Sequence, residues 1–438
     1  MPRKDQNTAD TRRAADRERL AGIVAAGGCD LHLHTTSSDG ADTPEQMVSR
    51  AVAAGLSVFA ITDHDSISGI GPARNDLLRR QAAPGHAPQL LAGVELSAEQ
   101  NGEERHILGY FLHGGEERLA SFLAKQLHTR RQRNRDLIDR LQSLGYAIDE
   151  EAFESLGQES IGRLQVALLL IQKGYFSSVQ QAFDTLLSEG RPGYVARVRP
   201  TAKEAIDQIH QAGGLAVLAH PALYGWCQGQ TIVSEQLLHN LAQLQAIGLD
   251  GVEAYHGEAS DEQNSEIKAA GRALGLVCTA GSDDHGQNKD RLMMYTRQDR
   301  WPKRREILVC GALLAQRQPD GQTRYLLCRR LSTGRHAGFW ELPGGKVESG
   351  ETTTQALKRE LQEELAVDAK IGALHTVIWH DYPDDRVILA VHETSFSTKN
   401  LATNAHDRFC FATAEQALQM KILPADITLF QTLAAKPK

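Results

Sequence analysis

Two histidines separated by one residue, His32 and His34 in Asp30-Leu31-His32-Leu33-His34, are the first residues whose spacing can do chemistry. In an extended strand, positions i and i+2 face the same way, so both imidazoles can meet one metal ion. Further along stand Asp39 in a Ser-Ser-Asp-Gly turn, His64 between Asp63 and Asp65, then Glu95 and His106. His220 precedes Pro221, and Asp283 and His285 stand in Gly281-Ser282-Asp283-Asp284-His285. A mixed shell of imidazoles and carboxylates suits zinc, manganese or iron better than calcium or an all-oxygen magnesium site. So many ligands can hold two or three divalent ions, which together activate water and neutralise a phosphate ester. Asp63 and Asp65 read equally well as partners that orient His64.

A second constellation lies near the C-terminus: Gly344-Gly345, then Glu351, then Arg359-Glu360-Leu361-Gln362-Glu363-Glu364. Glu360, Glu363 and Glu364 stand at i, i+3 and i+4, which a helix places on one face. Adjacent carboxylates repel, and a bound magnesium or manganese ion would remove the conflict. The two glycines permit a tight turn that brings the Gly345 carbonyl close to that ion. Arg359 is expected to pair with Glu351.

The elements that must position these residues are legible as apolar runs. Strand candidates are Leu56 to Thr62, Gln89 to Val94, His106 to Leu112, Gly214 to Ala219, Asp250 to Tyr255 and Leu276 to Ala280. Helical patterns over Thr43 to Ala54, Ala202 to Gln211 and Ser260 to Leu274 separate them. The alternation predicts a parallel α/β sheet or barrel with its site at the strand ends. Between about 115 and 200 the rhythm gives way to helices (Glu116 to Leu144, Ile161 to Lys173, Ser178 to Glu189), a helical insertion able to cover the site. Residues 1–27 read as a polar tail or a loose helix, 28–295 as the first domain and 296–305 as a basic linker. Residues 306–438 open a new pattern of strands, loops and helix.

Composition narrows the class. At 438 residues the chain exceeds a single core, and 41% hydrophobic with 24% charged residues is ordinary for a globular protein. The net charge of −7 argues against a broadly basic nucleic-acid-coating surface. Six scattered cysteines without a Cys-x-x-Cys pair read as reduced thiols of a cytoplasmic protein. No run approaches the roughly 20 apolar residues of a membrane span. No membrane association and no stable protein partner are expected.

The order of the N-terminal motifs resembles the PHP (polymerase and histidinol phosphatase) family. The resemblance implies a distorted (β/α)7 barrel and a trinuclear site ligated by His32, His34, Asp39, His64, Glu95, His106, His220, Asp283 and His285. It is most similar to stand-alone members that act on nucleoside 3′,5′-bisphosphates and short RNA or DNA oligonucleotides, which also carry a helical insertion. That subgroup reads Gly-Arg-Pro-His in the insertion. Here Gly162-Arg163-Leu164-Gln165 keeps Arg163 as a phosphate clamp and places Gln165 where the histidine stands. Arg135, in the run Arg130 to Arg135, is a further candidate for gripping phosphate, beside the simpler reading of a solvated helix face. A histidinol-phosphate phosphatase is an alternative that the insertion disfavours.

The C-terminal pattern resembles the Nudix box, and Phe339-Trp340-Glu341-Leu342-Pro343-Gly344-Gly345-Lys346 is similar to its MutT-like branch. This implies an α/β/α sandwich that hydrolyses nucleoside triphosphates, oxidised ones included, to monophosphate and pyrophosphate. Gly345, Glu360, Glu363 and Glu364 would hold magnesium or manganese, with Glu363 and Glu364 in the catalytic step and Lys346 on the substrate. Asp426 stands where such enzymes read the base and would accept a hydrogen bond from an amino group; it reads equally well as a simple helix cap. Two departures are visible: Ala366 stands where the box has glycine, and the usual downstream glutamate is missing, with His406 or Asp407 as substitutes. The two departures together motivate an alternative in which this half is a nucleotide sensor or docking module.

Overall fold

The computed structural model describes residues 3–81, 87–149, 151–152, 163–286, 305–333, 336–398, 401–402 and 405–435. The chain forms two compact units: Met1–His220 with Ala246–Glu258 and Val277–Trp301, and Pro221–Gln245 with Ala259–Leu276 and Pro302–Lys438.

The first unit is built on one seven-stranded sheet in sequential order. Its strands are β1 (Cys29–Leu33), β2 (Val58–Ile61), β3 (Gln89–Gln100), β4 (Glu103–Phe111), β5 (Leu215–Leu218), β6 (Gly251–His256) and β7 (Val277–Gly281). Leu33 at the end of β1 bridges in parallel to Asp284 just past β7, and His34 N donates to Asp284 O at 2.9 Å, so the sheet curls into the expected distorted barrel. The sheet is parallel as expected except at β4, which runs antiparallel to both β3 and β5. Asn101-Gly102 is the cause. Both residues have positive φ (55° and 82°), so β3 and β4 form a tight hairpin instead of a crossover.

Helices α2 (Pro44–Ala53), α3 (Ile70–Gln81) and α6 (Ala202–Gln211) return the chain between strands, and α1 (Arg3–Ala26) precedes the sheet. α2 and α6 each begin in a capping box, Thr43 with Gln46 and Thr201 with Glu204. Of the two readings of the N-terminal segment, a polar tail or a loose helix, the structure has a helix, and it is docked. Leu20 and Val24, four apart on one face, are buried. Asp16 takes a hydrogen bond from His113 at 2.7 Å, and Arg13 donates to His210 Nδ1 at 3.0 Å. The insertion comprises α4 (Ala120–Ser143) and α5 (Arg163–Gln172). The helix expected from Ser178 to Glu189 is one α turn (Val179–Ala182) followed by a π-helical segment (Phe183–Leu187). Leu137, Leu141, Val166, Leu170 and Leu187 give the insertion a small core of its own.

The second unit is a sandwich. One sheet runs β12 (Gly344–Lys346), β8 (Arg305–Leu313), β14 (Asp385–Ser395), β13 (Lys370–Asp381); the other runs β11 (Trp340–Glu341), β10 (Thr323–Arg330), β15 (His406–Ala412), with β9 (Ala315–Arg317) also on β10. Alternate residues serve opposite cores. Cys310, Leu326 and Cys328 pack against Ala356, Leu357 and Leu361 of α9 (Thr353–Leu365). Leu313 and Leu327 pack against Leu429 and Phe430 of α10 (Pro424–Ala435). This is the expected α/β/α arrangement.

Two segments expected in the first domain belong to this unit: residues 221–245, carrying α7 (Glu235–Ala246, less its last residue), and 259–276, carrying α8 (Asp261–Ala273). Thr231 to Val233 pair with the outer edge of β13, where Val233 N donates to Val377 O and Trp379 N to Thr231 O, both at 2.9 Å. The buried Glu266 carboxylate of α8 fixes that segment by accepting the N–H groups of Gln228, Gly229 and Ser234. Residues 296–304 of the expected linker lie outside the described residues.

Candidate active sites

In the first unit, all nine predicted ligands converge. Glu95, fully buried on β3, is the hub. Its Oε2 lies 3.3 Å from His32 Nε2, 3.3 Å from His34 Nε2 and 3.0 Å from His64 Nδ1. Its Oε1 lies 3.0 Å from His106 Nδ1 and 3.1 Å from His220 Nε2. Asp283 Oδ1 is 3.1 Å from His34 Nε2 and 3.5 Å from His32 Nε2. Asp39 reaches His285 Nε2 at 3.4 Å and His64 Nε2 at 3.8 Å. Three groups have ligand atoms close enough for one ion each: His34, Asp39, His64, His285; His32, His34, Glu95, Asp283; and His64, Glu95, His106.

The donor set fits divalent cations. His32 Nε2, both nitrogens of His34, His64 Nδ1 and Glu95 Oε2 are buried without a hydrogen-bond partner, a costly state that coordination relieves. Burial works against charge on His34, but the carboxylates of Asp283 and Glu95 beside it outweigh that cost and lift its pKa to about 10. Glu95, despite burial, is held well below the usual carboxylate range by His64, His32 and His106. The backbone is shaped for the purpose: Asp65, His220 and Asp283 have φ of 49°, 31° and 54°. Such strain persists where surrounding structure over-determines it.

The sequence reading missed what lines the rim. Asp63 and Asp65 are engaged by neighbouring side chains. Asp63 accepts from Thr35 N, Thr35 Oγ1 and Ser38 Oγ. Asp65 takes Arg130 at 2.7 Å and Arg197 at 2.8 Å. Glu104, 3.6 Å from His106 Nε2, takes Arg199 at 2.7 Å and Arg163 at 3.5 Å. Arg133 stands among Arg130, Arg197, Arg163 and Arg199; burial first, then these four charges, push it down to about 9. Five arginines thus face two carboxylates. Arg163, the expected phosphate clamp, stands in this cluster, and buried Gln165 lies two residues on. Arg135 is not; it is exposed, on the face of α4 turned away from Arg130 and Arg133. The i, i+3 spacing of Arg130 and Arg133, in phase with Leu137, was the available signal.

In the second unit, α9 opens with a capping box, Thr352 with Gln355. Arg359 pairs with Glu351 through two bonds of 2.9 Å, as expected, and also holds Glu360 at 2.8 Å. Gly344 has φ of 143°, and a Cβ there would lie 2.2 Å from Cys310 O. A Cβ on Gly345 would lie 2.4 Å from Glu360 Cδ, so only glycine lets this backbone meet the carboxylate. Gly345 O accepts the Cys310 thiol at 3.3 Å. Glu364 accepts Gly344 N–H at 3.2 Å, and burial, with Glu341 and Glu360 adding to it, raises its pKa to about 7. A carboxylate so destabilised fits a divalent cation beside it. The three glutamates do not converge as tightly as the helix spacing suggested, because Arg359 draws Glu360 and Glu363 while Glu363 stays 61% exposed.

Of the two substitutes for the missing glutamate, Asp407 is tied to Arg329 by two bonds of 2.7 Å. His406 is buried, with Nε2 3.1 Å from Glu341. Lys346 is exposed. Asp426 is buried, and burial together with Glu341 holds its pKa well above the usual carboxylate range. Ala366 closes α9 in the left-handed region, φ 55° and ψ 35°.

Known proteins agree with this geometry. A PHP domain model matches residues 30–213 and a NUDIX domain model residues 307–433. The chain is 35% identical over 257 residues to the 5′-3′ exoribonuclease Rnm of Escherichia coli, covering 58% of this chain and 84% of that protein. It is 31% identical over 258 residues to the 3′,5′-nucleoside bisphosphate phosphatase of Chromobacterium violaceum (58% and 86%). Its C-terminal part is 34% identical over 142 residues to the CTP pyrophosphohydrolase of Escherichia coli (30% and 92%). The chain therefore belongs to the PHP phosphoesterases through its N-terminal part and to the MutT-like Nudix hydrolases through its C-terminal part.

Proposed function

We propose that the chain is a bifunctional metal-dependent nucleotide hydrolase. The first site removes phosphate from nucleoside 3′,5′-bisphosphates or trims short RNA or DNA oligonucleotides. The second hydrolyses nucleoside triphosphates, oxidised ones included, to monophosphate and pyrophosphate. Two or three manganese, zinc or iron ions on the nine ligands, and magnesium or manganese at Gly345, Glu360, Glu363 and Glu364, would supply activated water and neutralise phosphate oxygens.

The observation that carries the first assignment is the arginine surplus beside the His/Asp/Glu cluster. Asp65 and Glu104 neutralise part of it. Arg133 keeps a buried Nε with no hydrogen-bond partner, and Arg163 is 30% exposed at the rim. Guanidinium groups match phosphate oxygens bidentately, so a substrate with a second phosphate beside the scissile one gains most here. The two relatives named for an exoribonuclease and a bisphosphate phosphatase support the same substrate class. In the second site Glu364, raised by burial, would give up its proton to hold a divalent cation, and Arg359 holds the loop carrying Glu351 onto α9.

A second reading of the C-terminal half follows from Asp407 being tied to Arg329 and Glu363 facing solvent: a nucleotide sensor with weak catalysis. Steady-state kinetics on adenosine 3′,5′-bisphosphate and on a simple monophosphate ester test the first assignment. Arg163→Ala is expected to raise KM for the bisphosphate tenfold or more, about 1.4 kcal/mol, and to leave the monoester nearly unchanged. Equal effects on both would refute two-phosphate recognition.

A further inference from the structure

Strand β6 supplies none of the nine candidate ligands, yet it places a fully buried carboxylate against two of them. Glu253 Oε1 accepts from His32 Nδ1 at 3.0 Å, and Glu253 Oε2 accepts from the His220 backbone N–H at 2.8 Å. Its side chain is wholly excluded from solvent. The surroundings are built around it. A Cβ on Gly281 of β7 would lie 2.5 Å from Glu253 Oε1 and 2.3 Å from His32 Cβ, so glycine is required where the three strands meet. The β6–β7 register shifts between Glu253 and Tyr255, an irregularity of the kind that re-aims side chains near sites. On the opposite edge of the same imidazole, His32 Nε2 points at Glu95 and Asp283 and has no hydrogen-bond partner.

We propose that Glu253 is the positioning residue of the metal centre: it holds the His32 proton on Nδ1, leaves Nε2 for the metal, and fixes the strained His220 turn. The physical basis is general. A ligating imidazole is oriented, and made more basic, by a carboxylate on its other nitrogen. Two donors converge on Glu253, and a carboxylate offers two acceptor oxygens. Glutamine offers one acceptor and one donor, so Glu253→Gln must break one of the two bonds. The lone acidic residue in the apolar run Gly251-Val252-Glu253-Ala254-Tyr255 marks this role in the sequence. The inference rests on the cluster being a metal centre.

Manganese affinity of the full chain, measured by chelator competition with metal content counted at saturation, tests it. Glu253→Gln is expected to bind the same number of ions as wild type with affinity lower by about 10- to 100-fold. Unchanged affinity would overturn the assignment. Loss of one ion at saturation would also overturn it, because Glu253 would then be a ligand itself. Wild-type protein that takes up no manganese would overturn the metal-centre reading and this inference with it. Imidazole 15N spectra of the zinc-loaded wild-type chain make the test independent of how the variant folds. His32 must show a proton on Nδ1 and metal on Nε2; the reverse tautomer contradicts the proposal.

Discussion

At the scale of single residues, the two sites differ in how much each side chain is over-determined. Glu95 touches five imidazoles, so no other residue can be changed with so broad an effect on the first site. Asp65 is the counterpart for the rim: removing it leaves Arg130 and Arg197 buried and unpaired. Breaking a buried pair in this way costs about 3–5 kcal/mol, so Asp65→Ala is expected to lower the denaturant midpoint sharply. A shift under about 1 kcal/mol would show that water reaches these arginines. Ala366 tests the opposite sign. A left-handed conformation costs an L-residue roughly 1–2 kcal/mol, so Ala366→Gly is expected to stabilise the second unit by about 1 kcal/mol in urea unfolding. The nine candidate ligands were legible from local signals: His32 and His34 two apart on one strand, Asp39 in a tight turn, and the others in or beside apolar runs. Glu253, Arg133 and Arg197 were not. Their meaning comes from partners 221 residues away for Glu253 and 132 for Arg197, which no local spacing encodes.

At the scale of elements, period and punctuation read correctly for most of the barrel, and α6 coincides with its expected range. Two misreadings have distinct physical causes. Asn101-Gly102 was a hairpin signal passed over inside a pattern that otherwise alternates strand and helix. The N-terminal helix looked polar overall, and only its spacing of Leu20 and Val24 marks a buried face. The edge of β13 is the element with the clearest consequence. Thr231 to Val233 cover it, so a fragment starting at residue 305 would expose an unpaired row of N–H and C=O groups. Such a fragment is expected to self-associate in size-exclusion chromatography with light scattering, whereas the full chain would not do so through this edge. A monomeric, well-folded fragment would show that the covering segment is dispensable.

At the scale of the whole molecule, sequence similarity and compactness divide the chain differently. The two matched families end and begin at residues 213 and 307, while compact packing assigns 221–245 and 259–276 to the second unit. The two units are therefore threaded through one another in sequence, and β6, which carries Glu253, lies between those two segments. Bound ions should stabilise the first unit by mass action, about 2.7 kcal/mol at a hundredfold excess over Kd. A chelator is expected to lower its melting midpoint, and readdition of manganese to restore it. No such loss would mean that the cluster is held by protons and hydrogen bonds alone. The central claim is that one chain carries two separate hydrolases. The most direct measurement follows phosphate and pyrophosphate separately, with manganese, from adenosine 3′,5′-bisphosphate and a panel of nucleoside triphosphates. His34→Ala and Glu364→Gln are assayed beside the wild-type chain. His34→Ala is expected to abolish only phosphate release, and Glu364→Gln only pyrophosphate release. Loss of both products in either variant, or no pyrophosphate from the wild-type chain, would contradict that claim.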